Sequence, residues 1–334
     1  MFIKKLMLTL EFRPESQNKL TVEQIAKQYP SPGWIEMFKR AEKEIEHMSN
    51  ILEQIQTYYP PKLRIFRALD LCPMDKVKVI IIGQDPYPSS DKGVPHANGL
   101  CFSTDIGLDV QNSLKNIYTE IQNEYPDFVI PKHGDLTEWA RQGVLLLNIC
   151  PTVSPNKVNS HKTYAIGFTA RILEALINQR KNHIYLLWGK QAQELKEMIG
   201  EKNTLTATHP SGLSAYRASK EAVAFSGCGH FKEVNTILIS RGLTPINWQI
   251  TVDPKLHKLK QDIYIIEYDF RYKLETWLCT IIDKTSVKSE IVNILSNFEL
   301  HIISIIQTAT LHENVEMKTF VYTIMQELRL QYLK

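Results

Sequence analysis

Val77-Lys78-Val79-Ile80-Ile81-Ile82 runs without a break into Gly83-Gln84-Asp85-Pro86-Tyr87-Pro88. A short, almost continuously apolar run closed by a glycine-led turn reads as a strand covered on both faces. Three more β-like runs follow, over 144–148, 183–188 and 204–208. Helical patterns at 113–124, 163–178 and 190–199 separate them. Alternating strands and helices predict a three-layer α/β/α domain around a central, mainly parallel four-stranded sheet.

Upstream, apolar residues from Ile35 to Ile55 recur at steps of three and four, which predicts one helix over 34–56, stopped by Tyr58-Tyr59-Pro60-Pro61. Residues 1–30 form a mixed N-terminal segment, and the α/β domain is expected over 31–253. Beyond Asp253-Pro254 the pattern changes. Leu274, Trp277, Leu278, Ile281 and Ile282 make one helical stripe. Val287, Ile291, Ile294, Leu295, Phe298 and Ile302 make a second, and Val315, Phe320, Ile324 and Leu328 a third. Residues 254–334 are therefore read as an α-helical C-terminal extension.

The 334 residues carry a net charge of +3, with 43% hydrophobic and 22% charged residues, ordinary for a globular protein. From Pro254 onward ten basic residues balance ten acidic ones, so the basic excess lies in the first 253 residues. That is a weak electrostatic hint of a polyanionic partner. The five cysteines are widely spaced, without a Cys-x-x-Cys pair, which suits free thiols in a reducing intracellular compartment. No apolar run approaches the ~20 residues of a membrane span. The basic and apolar start lacks the cleavage pattern of a signal peptide.

In an open parallel sheet, ligands bind outside the carboxyl ends of the strands. The turn 83–88 and the segment His209-Pro210-Ser211-Gly212-Leu213-Ser214-Ala215-Tyr216-Arg217 both follow such ends. A carboxylate at a strand end can orient a water or stabilise a developing cation, although an isolated Asp after a strand, as Asp85 is, more commonly caps the next turn. A neutral imidazole at His209 can donate to an oxygen that gains charge. Ser211, Ser214 and Arg217 suit phosphate, and Leu213 is either a wedge between bases or an anchor of its loop. Asn148 carries one acceptor and two donors, enough to satisfy an N–H beside a C=O in one contact, or the backbone of a turn. Tyr87 and Phe102 have core readings beside their stacking and steric ones.

Gln84-Asp85-Pro86-Tyr87, Gly99-Leu100-Cys101-Phe102-Ser103, Leu145-Leu146-Leu147-Asn148, Asn159-Ser160-His161, Leu186-Leu187-Trp188-Gly189 and His209-Pro210-Ser211-x-Leu213-Ser214 occur in the order found in family 1 uracil-DNA glycosylases. The resemblance spans roughly residues 34–249. It implies removal of uracil from single- or double-stranded DNA in base excision repair, without a metal or an organic cofactor. It also implies nuclear action or action at a site of replication. By the same resemblance Asp85 orients the attacking water and steadies the oxocarbenium-like sugar, while His209 binds uracil O2. Asn148 reads the N3–H and O4 edge, Phe102 stacks on the base, Tyr87 fills the space of a thymine methyl, and the Gln84 N–H faces a uracil oxygen. Leu213 enters the base stack while Ser113, Ser211 and Ser214 grip the strand; Arg217 and Lys190, which stands where the family has a serine, meet phosphate. Pro88 and Gly212 also depart from the family pattern, and 219–225 reads as an insertion. Alternative readings are a glycosylase of broader base choice and a non-catalytic DNA-binding scaffold. Residues 254–334 are expected to offer a face to a protein partner or a second copy, and no membrane contact is expected.

Overall fold

The computed structural model describes residues 19–28, 31, 33–179, 181–279, 288–308 and 315–333. The chain divides into two compact units, one over Glu15–Pro254 and one that takes in Lys255–Lys334.

The first unit is built on β1 (Val79–Gly83), β2 (Val144–Asn148), β3 (Ile184–Trp188) and β4 (Thr204–Ala207). They form one sheet in the order β2-β1-β3-β4, every pair parallel. Parallel pairing puts all four carboxyl ends on one side. Every residue of β1, β2 and β3 is buried, as their unbroken apolar runs demand, whereas β4, at an edge, is mostly half-buried. Five longer or site-bearing helices matter here: α1 (Glu42–Leu52), α2 (Asn112–Glu124), α3 (Thr137–Arg141), α4 (Lys162–Asn178) and α5 (His230–Ser240). α1 packs on α4, and α2 on α5, so two helical groups flank the sheet.

Two expected helices are broken. The run over 34–56 is interrupted at Ala41, whose φ of −93° and ψ of 11° leave helical geometry between Ile35–Arg40 and α1. The break lets Phe38 meet Phe66 edge-on, with ring centroids 5.1 Å apart, while Glu44 on α1 pairs with Arg171 on α4. The run over 190–199 is likewise two short helices, Lys190–Gln193 and Lys196–Ile199.

The second unit consists of α6 (Pro254–Cys279), α7 (Lys288–Thr308) and α8 (Val315–Tyr332). Its core joins Leu256, Ile263, Phe270 and Leu274 to Ile294, Phe298 and Ile302 and to Met317, Ile324 and Leu328. The Phe270 and Phe298 rings stack at 4.0 Å. α6 begins some twenty residues before the stripe read from the sequence. The stretch Ser289–Gln307, contrary to the reading above, is long and apolar enough by length and composition to cross a membrane. Its residues Ile291, Ile294, Leu295, Phe298, Ile302 and Ile306 face the core of this unit, a position that selects the same composition. Ile281, Ile282 and Val287 of the expected stripes lie outside the described residues, as does most of the segment 1–30.

Candidate active site

The crevice begins with a close approach between neighbouring strands. β1 and β2 are in register with Gly83 opposite Asn148. A Cβ at Gly83 would lie 2.4 Å from Asn148 Oδ1 and 2.9 Å from Cys101 Cβ. The amide of Asn148 therefore lies across the end of β1, and only glycine leaves room for it. Asn148 is itself buried at 8% exposure.

The loop 98–103 closes one side. Asn98 is fully buried; its amide donates to Ser103 Oγ at 3.0 Å and its Oδ1 accepts from the Leu100 N–H. Ser103 Oγ in turn donates to the Gly134 carbonyl. This network holds Phe102 at φ +61°, a strained conformation for a bulky residue. The Phe102 ring lies 5.8 Å from the His209 ring and 5.9 Å from that of Trp188. The Tyr87 hydroxyl donates to the Phe102 carbonyl at 3.0 Å, and burial pushes that phenol far above its usual range. Tyr87, Phe102 and His209 thus form one connected wall.

Asp85 stands at the end of β1. Its Oδ2 accepts the Asn159 N–H at 2.5 Å and, more loosely, the Gln84 amide at 3.5 Å. The Gln84 amide also donates to Asn159 Oδ1 at 2.9 Å. Asp85 Oδ1 is buried and has no N–H or O–H donor among the described residues, while the Cys150 thiol lies beside the carboxylate. The Cys150 N–H donates to the Gln84 carbonyl, and burial together with the nearby Asp85 charge pushes its thiol up to about 12. Asn159 and Cys150 were not singled out from the sequence. Asn159 stood in a quoted motif, and its φ of +60° suits an asparagine, so a turn was legible there, though not its partner.

His209 follows β4. Its Nδ1 accepts the Ser211 N–H at 3.2 Å and lies 2.7 Å from Ser211 Oγ. An Nδ1 that accepts a backbone N–H carries no proton, so the neutral ring bears its hydrogen on Nε2. Burial lowers the imidazole below its ordinary value and keeps it neutral. Gly189, at φ +92°, lets the ring settle: a Cβ there would lie 2.9 Å from His209 Cβ.

The remaining expected residues gather around this loop. Asn116 of α2 donates to the Pro210 carbonyl at 2.8 Å and accepts the Tyr216 hydroxyl at 3.1 Å. α2, which carries Ser113 one turn before Asn116, thereby packs on the loop bearing Ser211 and Ser214. Leu213 is 70% exposed, and Lys190, Ser214 and Arg217 are exposed with it. Pro88 accepts the Asn156 N–H through its carbonyl. Beyond it a small hairpin, Ser90–Asp91 paired with Val94–Pro95, lifts Lys92 into solvent.

Glu120, Glu124 and Cys228 form a group whose ligand atoms lie within 4.8 Å of one another. Glu120 accepts the N–H groups of Gly227 and Gly229, and Glu124 those of Phe231 and Lys232. Both carboxylates are thereby committed to the N-terminal end of α5.

Residues 69–238 match the family described as the Uracil DNA glycosylase superfamily. The chain is 42% identical to the uracil-DNA glycosylase of Proteus mirabilis over 220 residues, covering 63% of this chain and 93% of that protein. It is 48% identical to the enzyme of the same name from Dichelobacter nodosus over 197 residues, covering 58% and 80%. The solved structure of mimivirus uracil-DNA glycosylase superposes with a TM-score of 0.60 at 30% identity, covering 73% of this chain and 89% of that one.

The burial that keeps imidazoles neutral also sets an acid limit. Trp188 Nε1 donates to His230 Nδ1 at 3.1 Å, and burial pushes His230 down from 6.5 to about 4. Below pH 6.5 the unfolded chain takes up a proton at His230 that the folded chain refuses until about 4, so stability falls as pH drops across that window. The loss is of order 3 kcal/mol. His230→Asn keeps an acceptor for the indole N–H without a titrating group. Urea unfolding at pH 7 and pH 4.5 should therefore show a smaller acid-induced loss in the variant than in the wild type.

Proposed function

The chain belongs to the uracil DNA glycosylase superfamily, and from that premise we propose how its residues carry out the reaction. The protein excises uracil from DNA by hydrolysing the N-glycosidic bond, leaving an abasic site and opening base excision repair. The deoxyuridine must leave the duplex first, at a cost of a few kcal/mol that is smaller in single strands. Phe102 then stacks on the flipped base. Asn148 reads its N3–H and O4, and Tyr87 stands where a 5-methyl group would go. The Gln84 N–H faces a uracil oxygen.

As the C1′–N1 bond breaks, positive charge builds on the sugar and negative charge on the base. Asp85 answers the first through its ionised carboxylate. The water oriented by that carboxylate adds to C1′ and passes its proton to the carboxylate, while uracil leaves as an anion. His209 answers the second by donating from Nε2 to uracil O2. The observation that carries this reading is the division of Asp85: Oδ2 is tied to the Asn159 N–H, and Oδ1 is buried without an N–H or O–H donor among the described residues. The fixed His209 tautomer supports the partner role.

DNA is held around the mouth. Ser113, Ser211, Ser214, Lys190 and Arg217 meet phosphates, and Leu213 enters the stack behind the flipped nucleotide. Support comes from the exposure of Lys190, Leu213, Ser214 and Arg217 at the carboxyl end of the sheet. Action in a reducing intracellular compartment is supported by four free thiols, Cys72, Cys101, Cys150 and Cys228. The glycosylase domain is assigned to 31–253, and the helices after it to contacts with a protein partner or a second copy. The outward apolar side chains of Leu300, Val315, Tyr322 and Leu330 support that assignment.

Three measurements test this reading. Asp85→Asn keeps shape and removes charge, so uracil release should fall by about three orders of magnitude or more with duplex binding retained. Near-normal turnover would sink the assignment. Tyr87→Ala should cleave thymine from oligonucleotides, and Asn148→Asp should cleave cytosine, both scored as alkali-labile sites. If both fold and neither gains a substrate, the pocket is wrongly placed. Deletion of 255–334 should leave uracil release intact; a folded shortened protein that binds uracil DNA and cannot cleave it contradicts the assignment of all chemistry to residues 84–217.

A further inference from the structure

The loop that carries Leu213 has to resist being pushed back by the duplex it enters, yet its own covalent geometry gives little resistance. Gly212 sits at φ +49°, a region closed to proline and open chiefly to glycine, and a Cβ there would meet nothing within 4 Å. Stiffness must be supplied from outside the turn.

Asn116 holds the loop at Pro210 and Tyr216, and a second brace comes from a neighbouring segment and one hydroxyl. Thr208 Oγ1 donates to the Ser214 carbonyl at 2.7 Å, immediately after Leu213, and accepts the Phe225 N–H at 3.1 Å. The Thr208 N–H donates to the Val223 carbonyl at 2.9 Å, and Ala207 and Val223 form a parallel bridge. Ser226 N–H donates to the Ala215 carbonyl at 2.8 Å. The stretch 219–226 is thus a rail beside the loop 211–217, joined to it at Ala215 and, through Thr208, at Ser214. The rail itself is anchored: Phe225 is 1% exposed, and its ring meets that of Trp188 edge-on at 5.0 Å.

We propose that Thr208 is a positioning residue for strand opening: its hydroxyl couples the rail to the wedge loop and holds Leu213 in place against the duplex. This rests on the wedge role given to Leu213 above. Thr208 touches neither the base nor the sugar in that scheme. Its loss should therefore be felt where a duplex must be kept open, and hardly where the substrate is already single-stranded.

The test measures kcat/KM for uracil release by the full-length protein on single-stranded and duplex oligonucleotides of one sequence. Thr208→Val removes the hydroxyl and keeps the shape. It should lower the duplex value about tenfold, about 1.4 kcal/mol, for the joint loss of the bonds to the Ser214 carbonyl and from the Phe225 N–H, and the single-strand value by less than about threefold. Thr208→Ser restores the hydroxyl and should recover the wild-type ratio. Where Thr208→Val does not fold, Thr208→Ala is judged by the same ratio. Equal losses on both substrates, an unchanged ratio, or a Thr208→Ser variant that fails as badly as the valine each overturn the proposal. Leu213→Ala separates the two levels. If it shows no duplex-selective loss, the wedge reading itself is wrong; if it does and the Thr208 variants do not, only the brace is wrong.

Discussion

The register that sets Gly83 opposite Asn148 is the constraint on which the crevice depends. It brings a side-chain amide across the end of the central strand, at a distance no Cβ tolerates. Shifting either strand by one residue would turn Asn148 to the other face of the sheet. Because all four strands are parallel, the same alignment aims the turn after β1 and the loop after β4 to one side. Asp85, two residues past Gly83, and His209, two past Ala207, inherit their places from it. The buried faces of β1, β2 and β3 hold this register with a continuous apolar core, so the site is fixed by packing before any substrate enters.

Much of this was legible in the sequence because it depends on local pattern. An apolar run ended by glycine gives a strand and its end, and four such runs separated by helical patterns give the sheet. The ordered motifs gave the site residues by resemblance. What escaped the sequence was tertiary. The helix break at Ala41 answers to the packing of Phe38 on Phe66. The contact of the Asn159 N–H with Asp85 joins positions 74 residues apart, through a turn whose positive φ leaves no unique mark. The start of α6 escaped for another reason. Its apolar residues Leu256, Leu259, Ile263, Ile266 and Phe270 recur at steps of three and four, so the pattern was present in the sequence; the basic neighbours Lys255, His257, Lys258 and Lys260 obscured it.

The two groups proposed to react, Asp85 and His209, would need opposite electrostatic settings, and the fold supplies both beside one crevice. His209 must stay neutral and present a hydrogen on a chosen nitrogen. Burial secures the first and the Ser211 N–H the second. Asp85 must remain an acceptor, and the Asn159 N–H fixes one of its oxygens in place. Neither setting needs the substrate to organise it, which is the economy of a preorganised site.

The same preorganisation limits how far base selectivity can be separated from rate. Tyr87 is joined to Phe102 by its hydroxyl, and that bond lands on the carbonyl of a residue held at φ +61°. The proposed steric wall and the proposed stacking platform are therefore one mechanical unit. A substitution that opens space beside Tyr87 also removes a restraint from a strained backbone, which can then relax toward ordinary φ. The Phe102 ring would drift from His209, which it meets at 5.8 Å, and the base resting on it would move relative to the Nε2 donor. On the proposed roles, wider base choice in this crevice comes with slower release of uracil itself, because the residue assigned to exclude the methyl group would also align the leaving base.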